Sequence, residues 1–323
     1  MGEAIVIREH GGPAVLNLEP VALGAPGTGE LRLKQTAVGV NYHDVYVRSG
    51  LYRTLQLPGT PGLEGVGVVE AVGAGVEAFA PGDRVAYLDA AYGAYATDKL
   101  VRADLAVHLP DAIDDTLAAT VLLKGVTASV LTHQVHPIVA GERVLVHAAA
   151  GGVGRLLVQW AAHLGADVIG TAGSAEKAAV ARRLGCREVI LYREEDFAER
   201  VAELTDGHGA DVVFDAVGRD TFDGSLKALA VRGHLVNYGQ ASGPIPPFEI
   251  SRLAPKSATI TRPGYSQYVA SPAQLRATAA GLFEAIAAGV LTAETARAWP
   301  LAEAREAHAA LERRDPGPFA LLP

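Results

Sequence analysis

The run Arg143-Val144-Leu145-Val146-His147-Ala148-Ala149-Ala150-Gly151-Gly152-Val153-Gly154 joins a short apolar segment to a turn of small residues. Val144 to Val146 has the character of a strand buried in a parallel sheet. Leu157, Trp160, Ala161 and Leu164 follow at helical spacing, and Gly165 closes a helix expected over Val153 to Leu164. Positions without bulky side chains let backbone N–H groups approach a pyrophosphate, and the N-terminus of the following helix presents partial positive charge to the same anion. Against the G-x-G-x-x-G fingerprint the chain offers Ala149-x-Gly151-x-x-Gly154, with alanine in place of the first glycine. Taken alone, these six residues suit an ordinary tight strand-to-helix turn equally well. Their setting in a long alternation of strands and helices favours a dinucleotide.

In the NAD-binding form of this unit an acidic residue about twenty positions after the turn binds the ribose 2′-hydroxyl. Here the second strand ends Gly170-Thr171-Ala172-Gly173-Ser174, without a carboxylate. A 2′-phosphate therefore meets no repulsion there. Ser174 can donate a hydrogen bond to it, Lys177 can supply positive charge, and the Tyr192 hydroxyl can close the pocket. This predicts NADPH as the preferred cofactor, provided that Glu176 points away.

The elements that hold these residues fall into two blocks. From Ala4 to about Leu123 the pattern is β-rich, with strands expected at Ile5 to Ile7, Leu31 to Gln35, Val66 to Val72 and Arg84 to Tyr87. A helix beginning near Asp114 leads through Lys124 into a second helical run ending near His133, and the domain junction belongs here. Strands at Asp167 to Ala172, Glu188 to Tyr192, Asp211 to Asp215, His234 to Gly239 and Thr259 to Thr261 then alternate with helices at Ala175 to Leu184, Phe197 to Leu204 and Thr221 to Leu229. Single-helix connections imply right-handed crossovers and a doubly wound parallel α/β sheet, with Gly151, Gly173, Tyr192, Val217 and Gly239 on one edge. The last block holds helices at Pro272 to Gly289 and Leu301 to Arg314 and a strand at Phe319 to Leu322. The expected organisation is a mostly β domain over residues 1–124, completed by 263–323, and a Rossmann domain over 125–262.

At 323 residues two domains are the natural expectation, and 49% hydrophobic with 20% charged residues describes a globular protein. A net charge of −8 disfavours a nucleic-acid or acidic-membrane partner and favours small molecules. The single cysteine, Cys186, allows neither an intramolecular disulfide nor a cysteine-rich zinc site. No signal peptide or uninterrupted spanning segment is evident, so the expected location is the cytoplasm.

The chain resembles the zinc-lacking quinone reductases of the medium-chain dehydrogenase/reductase superfamily, which include ζ-crystallin. The marks are Asn41-Tyr42-His43-Asp44, Gly62-Leu63-Glu64-Gly65-Val66-Gly67, Ala148 to Gly154, Asp215-Ala216-Val217-Gly218, Thr261-Arg262-Pro263 and Leu321-Leu322-Pro323. The resemblance implies a GroES-like catalytic domain built from both chain ends around a Rossmann domain, and a homodimer. It implies no metal, because zinc-dependent relatives carry cysteine at Asn41 and histidine at Leu63, and neither asparagine nor leucine replaces those ligands.

By position, the resemblance places Asn41, Tyr46 and Tyr52 at the acceptor beside the nicotinamide, in hydrogen-bonding and ring-packing roles. Read from the residues alone, Tyr42, Tyr46 and Tyr52 are ordinary packing residues. The resemblance also puts Thr127 near the nicotinamide, Gly151, Gly152 and Val153 at the pyrophosphate, and Gly173, Ser174, Lys177 and Tyr192 at the adenosine phosphate. Val217, Gly239, Gln240, Ala241, Ser242, Pro263, Gly264 and Tyr265 complete the cofactor set, with Arg314 near the 2′-phosphate. The implied reaction is zinc-independent transfer from NADPH to a quinone, an acceptor electrophilic enough to need orientation rather than a Lewis acid. Two alternatives stand beside it: an NADPH-dependent enone, alkenal or enoyl-thioester reductase, and a non-catalytic NADPH- or RNA-binding protein.

Overall fold

The computed structural model describes residues 2–293, 297–315 and 317–323. In chain order the first elements are β1 (Gly2–Val6), β2 (Asn17–Val21), β3 (Glu30–Val40), α1 (Tyr42–Ser49), β4 (Glu64–Val72), β5 (Arg84–Leu88), β6 (Asp98–Arg102), β7 (Ala106–His108) and α2 (Asp115–Val130). There follow β8 (Arg143–Val146), α3 (Gly152–His163), β9 (Asp167–Ala172), α4 (Ala175–Arg183), β10 (Glu188–Leu191), α5 (Phe197–Leu204), β11 (Ala210–Asp215), α6 (Phe222–Ala228), β12 (Leu229–Asn237), β13 (Thr259–Thr261) and α7 (Tyr265–Tyr268). The chain closes with α8 (Pro272–Ala287), β14 (Arg297–Pro300), α9 (Ala304–Glu312) and β15 (Phe319–Leu322).

The chain divides into two units. One comprises the chain up to Leu123 with Ser271–Ala287 and Thr292–Pro323; the other is Lys124–Ala270 with Ala288–Leu291. The division falls inside α2. The helix continues as a wider turn over Leu131–Val135 instead of restarting as the sequence suggested. Its mid-helix Gly125 is buried, so packing overrides the weak helix preference of glycine. The segment Asp115–Val135 is long and apolar enough to cross a membrane, but most of it is buried inside the protein. The return to the first unit comes at Ser271, eight residues beyond the expected 263, because α7 follows directly on the last parallel strand.

In the first unit the strands run β14-β15-β3-β4-β5-β7, with β6 also pairing β3, and β1 and β2 form a separate antiparallel pair. β15 lies antiparallel to the end of β3, with Phe319 opposite Val40 and Leu321 opposite Val38. The last strand thus flanks the residues that lead into Asn41. Phe319, Leu321 and Trp299 join Leu31, Leu33, Val38, Val85 and Tyr95 in one core. The short strands β2, β6, β7 and β14 were absent from the sequence expectation.

A buried polar chain ties α9 to α1. Arg48 Nη1 donates to His308 Nδ1 at 3.3 Å, and Arg48 Nε donates to Gly11 O at 3.1 Å. A guanidinium has only donors, so His308 Nδ1 is the acceptor and its Nε2 carries the proton. That nitrogen lies 3.0 Å from Tyr95 Oη, which donates to Asp44 Oδ2 at 3.0 Å. Asp44 Oδ2 in turn accepts the Asn41 backbone N–H at 2.8 Å, fixing the first turn of α1. Burial, then the nearby Arg48 charge, lowers the His308 pKa to about 3, in keeping with a neutral ring.

The second unit is a six-stranded parallel sheet in the order β10-β9-β8-β11-β12-β13. Numbered along the chain, this is 3-2-1-4-5-6, the doubly wound dinucleotide-binding order. Val144, Leu145 and Val146 are fully buried, as a central strand covered on both faces requires. Leu145, Ile169, Ile190, Val213 and Leu235 meet Val201 and Phe222 in the core on one side. β12 begins at Leu229, five residues before the expected start, because Leu229 and Ala230 are buried and continue the sheet directly from α6.

The turn after β8 shows how the glycine fingerprint works without its first glycine. The residue in left-handed conformation is Ala148 (φ 51°), one before the alanine aligned with that glycine. Ala148 N–H bonds Thr171 Oγ1 at 3.3 Å, and Ala149 N–H bonds Thr171 O at 3.0 Å. Gly151 N–H returns to Ala148 O at 2.7 Å and caps α3. A Cβ at Gly154 would lie 2.3 Å from Ala148 O, whereas one at Gly152 would meet only the flexible Lys124 side chain, at 3.1 Å.

Two outcomes follow from this packing. Gly154→Ala is expected to lower stability by about 1–3 kcal/mol, because a methyl must displace backbone. Gly152→Ala is expected to have a smaller effect, and urea denaturation of the two variants compares them. His308 and His234 have pKa values lowered to about 3 and about 4, chiefly by burial, so the folded protein keeps both neutral. The unfolded chain protonates them below about pH 6.5. It therefore binds more protons as pH falls from there towards 4, and the thermal midpoint should drop across that window. A midpoint that is level or rises in stepwise melts would contradict this.

Candidate functional site

In the second unit the cofactor candidates gather on the carboxyl edge of the parallel sheet. Gly151 and Gly152 open α3, with Val153 in its first turn. Gly173 follows β9, and a Cβ there would lie 2.6 Å from Tyr192 Oη, so a side chain at this position would displace that hydroxyl. Tyr192 itself is 41% exposed. Ser174 caps α4, its Oγ accepting the Lys177 N–H at 3.4 Å. A hydroxyl that accepts in this way can still donate its own proton. Lys177 is half-buried and Glu176 exposed, and no acidic side chain stands at Gly173 or Ser174.

The neighbouring loops are held by buried polar groups. Asp215 Oδ1 accepts the N–H of Val217 at 2.7 Å and of Gly218 at 3.1 Å, together with the Thr221 hydroxyl at 2.9 Å. Ala241 N–H bonds Ala216 O at 3.1 Å, and Ser242 N–H and Oγ both donate to Val217 O at 2.9 Å. Gly239 sits where a Cβ would lie 2.5 Å from Ala216 O, and Gln240 packs beside Gly218. Arg262 Nη1 donates to Asn237 Oδ1 at 2.6 Å and to Gly239 O at 2.9 Å, fixing the chain just before Pro263, Gly264 and Tyr265, where Gly264 caps α7. Thr127 is half-buried on α2.

In the first unit α1 and the segment behind it assemble an aromatic group. Tyr42 and Tyr46 pack edge-on with centroids 5.4 Å apart, and Tyr46 and Tyr52 lie 5.0 Å apart. Tyr52 N–H bonds Tyr46 O at 3.0 Å, which turns the chain back over the helix end at Gly50. Arg314, also in this unit, adopts φ 61° behind α9, with its N–H on Leu311 O at 3.0 Å.

Asn41 uses its side chain to satisfy Glu64. Asn41 Nδ2 donates to Glu64 Oε1 at 2.7 Å, and Leu123 N–H donates to Glu64 Oε2 at 2.6 Å. Leu63 beside it is buried and apolar. An amide committed to a carboxylate and an alkyl chain make no donor set for zinc. Among the described residues no group of three histidine, cysteine or acidic side chains is placed to hold a metal ion. Cys186 lies in the other unit, and burial pushes its thiol up to about 12.

Sequence reasoning passed over several residues that shape these sites. Glu64 lies within Gly62-Leu63-Glu64-Gly65, and a carboxylate among glycines at the start of a strand was the available signal. His43 shares the aromatic group, 5.4 Å from Tyr52 and 6.0 Å from Tyr92 between ring centroids. Burial lowers its pKa to about 4. Tyr92 and His308 lie far from α1 in the chain, and no local pattern marks them.

A family model described as an alcohol dehydrogenase GroES-like domain matches residues 27–111, and one described as a zinc-binding dehydrogenase matches residues 152–280. The quinone oxidoreductase of Pseudomonas aeruginosa is 45% identical over 325 residues, covering 100% of both chains. The 2-haloacrylate reductase of a Burkholderia species is 43% identical, covering 99% of this chain and 98% of its own. The crystal structure of Escherichia coli quinone oxidoreductase complexed with NADPH superposes with a TM-score of 0.97 at 41% identity, covering 99% of this chain and 100% of that one. With its GroES-like and Rossmann-type units and likeness over its full length, this chain belongs to the quinone oxidoreductase family of the medium-chain dehydrogenase/reductase superfamily.

Proposed function

We propose that the protein is an NADPH-dependent quinone reductase that works without zinc. The observation that carries this reading is the full-length likeness to quinone oxidoreductases, one of them solved with NADPH. The residues of the second unit suit that cofactor. With Gly151 capping the turn, the Gly152 and Val153 amides at the head of α3 offer donors to a pyrophosphate, and Gly173, Ser174, Lys177 and Tyr192 offer a carboxylate-free place for a 2′-phosphate. Thr127, Val217, Gly239 to Ser242 and Pro263 to Tyr265 are assigned along the rest of the cofactor, and Arg314 near its 2′-phosphate.

Bound NADPH supplies the hydride. The chain's own part is to orient and to exclude water. Asn41, held by Glu64, is assigned to the nicotinamide and acceptor, while Tyr46 and Tyr52 present ring faces and hydroxyls to the acceptor. A quinone suits this arrangement because its reduced anion is delocalised and takes a proton from solvent or a hydroxyl. A cytoplasmic homodimer acting on small molecules, without nucleic acid or membrane, completes the proposal. A second reading, reduction of an activated carbon–carbon double bond, is favoured by the likeness to a 2-haloacrylate reductase. There the proton must go to carbon, so a placed acid matters more.

Steady-state assays with ortho- and para-quinones against 2-alkenals and 2-haloacrylate test the assignment. The expected result is kcat/KM at least about tenfold higher for quinones; the opposite order would replace the first reading with the second. For the cofactor, NADPH should be preferred over NADH, and Lys177→Ala should raise KM for NADPH about five- to tenfold while leaving that for NADH unchanged. An unchanged NADPH KM in that variant removes Lys177 from the site.

A further inference from the structure

We propose that Tyr92, acting through His43, is a positioning residue for Tyr52 and so helps to set the affinity for the acceptor. The inference rests on the reading above that Tyr52 lines the acceptor site. Tyr92 stands in left-handed conformation, φ 68°, immediately before Gly93 at φ 91°. Such a backbone suits glycine and is strained for an aromatic residue, and it persists only where the surroundings enforce it.

The enforcement is visible. Lys99 Nζ donates to Tyr92 O at 2.6 Å and forms a buried ion pair with Asp89 Oδ2 at 2.8 Å. Asp89 Oδ1 accepts the Ala91 N–H at 2.9 Å, and Asp89 O accepts the Tyr92 N–H at 3.2 Å. Glycine at position 92 would relieve the strain, so the tyrosine side chain is what the turn is built to present. Its Oη shares a hydrogen bond with His43 Nε2 at 3.2 Å and another with Thr54 Oγ1. Thr54 lies two residues beyond Tyr52, and the His43 ring abuts the Tyr52 ring edge-on.

Tyr92 therefore fixes both the ring that Tyr52 leans on and the segment that carries Tyr52. A neutral His43 suits this role, since its ring carries no charge into the aromatic group. With the hydroxyl removed, His43 and Thr54 lose their shared anchor, and Tyr52 gains freedom that acceptor binding must then overcome.

The test compares Tyr92→Phe, His43→Phe, the double variant, Tyr52→Phe and Tyr52→Ala, with KM and kcat measured for a monocyclic and a bicyclic para-quinone, KM for NADPH, and the thermal midpoint. Tyr92→Phe should raise the quinone KM about two- to tenfold while kcat and the NADPH KM hold. His43→Phe keeps the ring contact and the Tyr92–Thr54 bond but loses the His43 hydrogen bond, so it should raise the quinone KM by no more than Tyr92→Phe does. The double variant should be no worse than Tyr92→Phe alone, since that change already removes the His43 link along with the one to Thr54. If Tyr52→Phe raises the quinone KM and Tyr92→Phe does not, the positioning inference is overturned while the acceptor reading stands. An unchanged quinone KM in both Tyr52→Phe and Tyr52→Ala removes Tyr52 from the acceptor site and overturns both. Should Tyr92→Phe lower kcat, both affinities and the thermal midpoint together, His43→Phe decides: a rise confined to the quinone KM supports the link, and an unchanged quinone KM overturns it.

Discussion

Glu64 is a carboxylate with no exposure to water, and the character of the first unit's site follows from how it is satisfied. A buried charge left without partners costs several kcal/mol, roughly, so its neighbours must be donors. Asn41 Nδ2 and the Leu123 N–H fill that need, one for each oxygen. Asn41 is thereby held in one orientation. The same residue stands between β3 and α1 as the cap of the helix, so the demand of one carboxylate bears on the start of the helix that carries Tyr46.

The far side of α1 obeys the same rule by a longer route. Asp44 accepts the Asn41 amide and the Tyr95 hydroxyl; Tyr95 meets His308; His308 accepts from Arg48. Each donor in this chain finds an acceptor, and the direction is set by a guanidinium that cannot accept. The last helix is therefore part of the site's foundation without touching it. The closing strand reinforces this by pairing with the end of β3. β14 and β15 thus extend a sheet begun before the Rossmann sheet.

The second unit works by omission. Ala148 takes the left-handed turn that glycine would occupy more cheaply, and Thr171 fixes it with hydroxyl and carbonyl. Gly154 then allows the close approach of α3 to the turn, while Gly152 faces only the flexible Lys124 side chain. At the end of β9, Gly173 and Ser174 leave out the carboxylate that would repel a 2′-phosphate. Asp215 and Asn237 spend polar atoms on the backbone of the adjoining loops, and Arg262 joins Asn237 and Gly239 O, so these loops owe their form to part-buried and surface hydrogen bonds.

The sequence by itself determined the second unit well. Strand and helix period, the small-residue turn and the missing carboxylate are local signals, and the parallel order of the sheet follows from right-handed single-helix crossovers. Asn41, Tyr46 and Tyr52 are proposed for the acceptor through resemblance alone, because a tyrosine on a helix looks like packing. What tertiary structure alone decided are pairings across long stretches of chain: His308 with Tyr95, Tyr92 with His43, Glu64 with Asn41, β15 with β3. The short strands β2, β6, β7 and β14 belong to the same class, since their edges are defined by partners and not by their own alternation. Periodicity reports which way a side chain faces, but not which distant donor waits there. A buried polar group's choice of partner is a property of the folded whole.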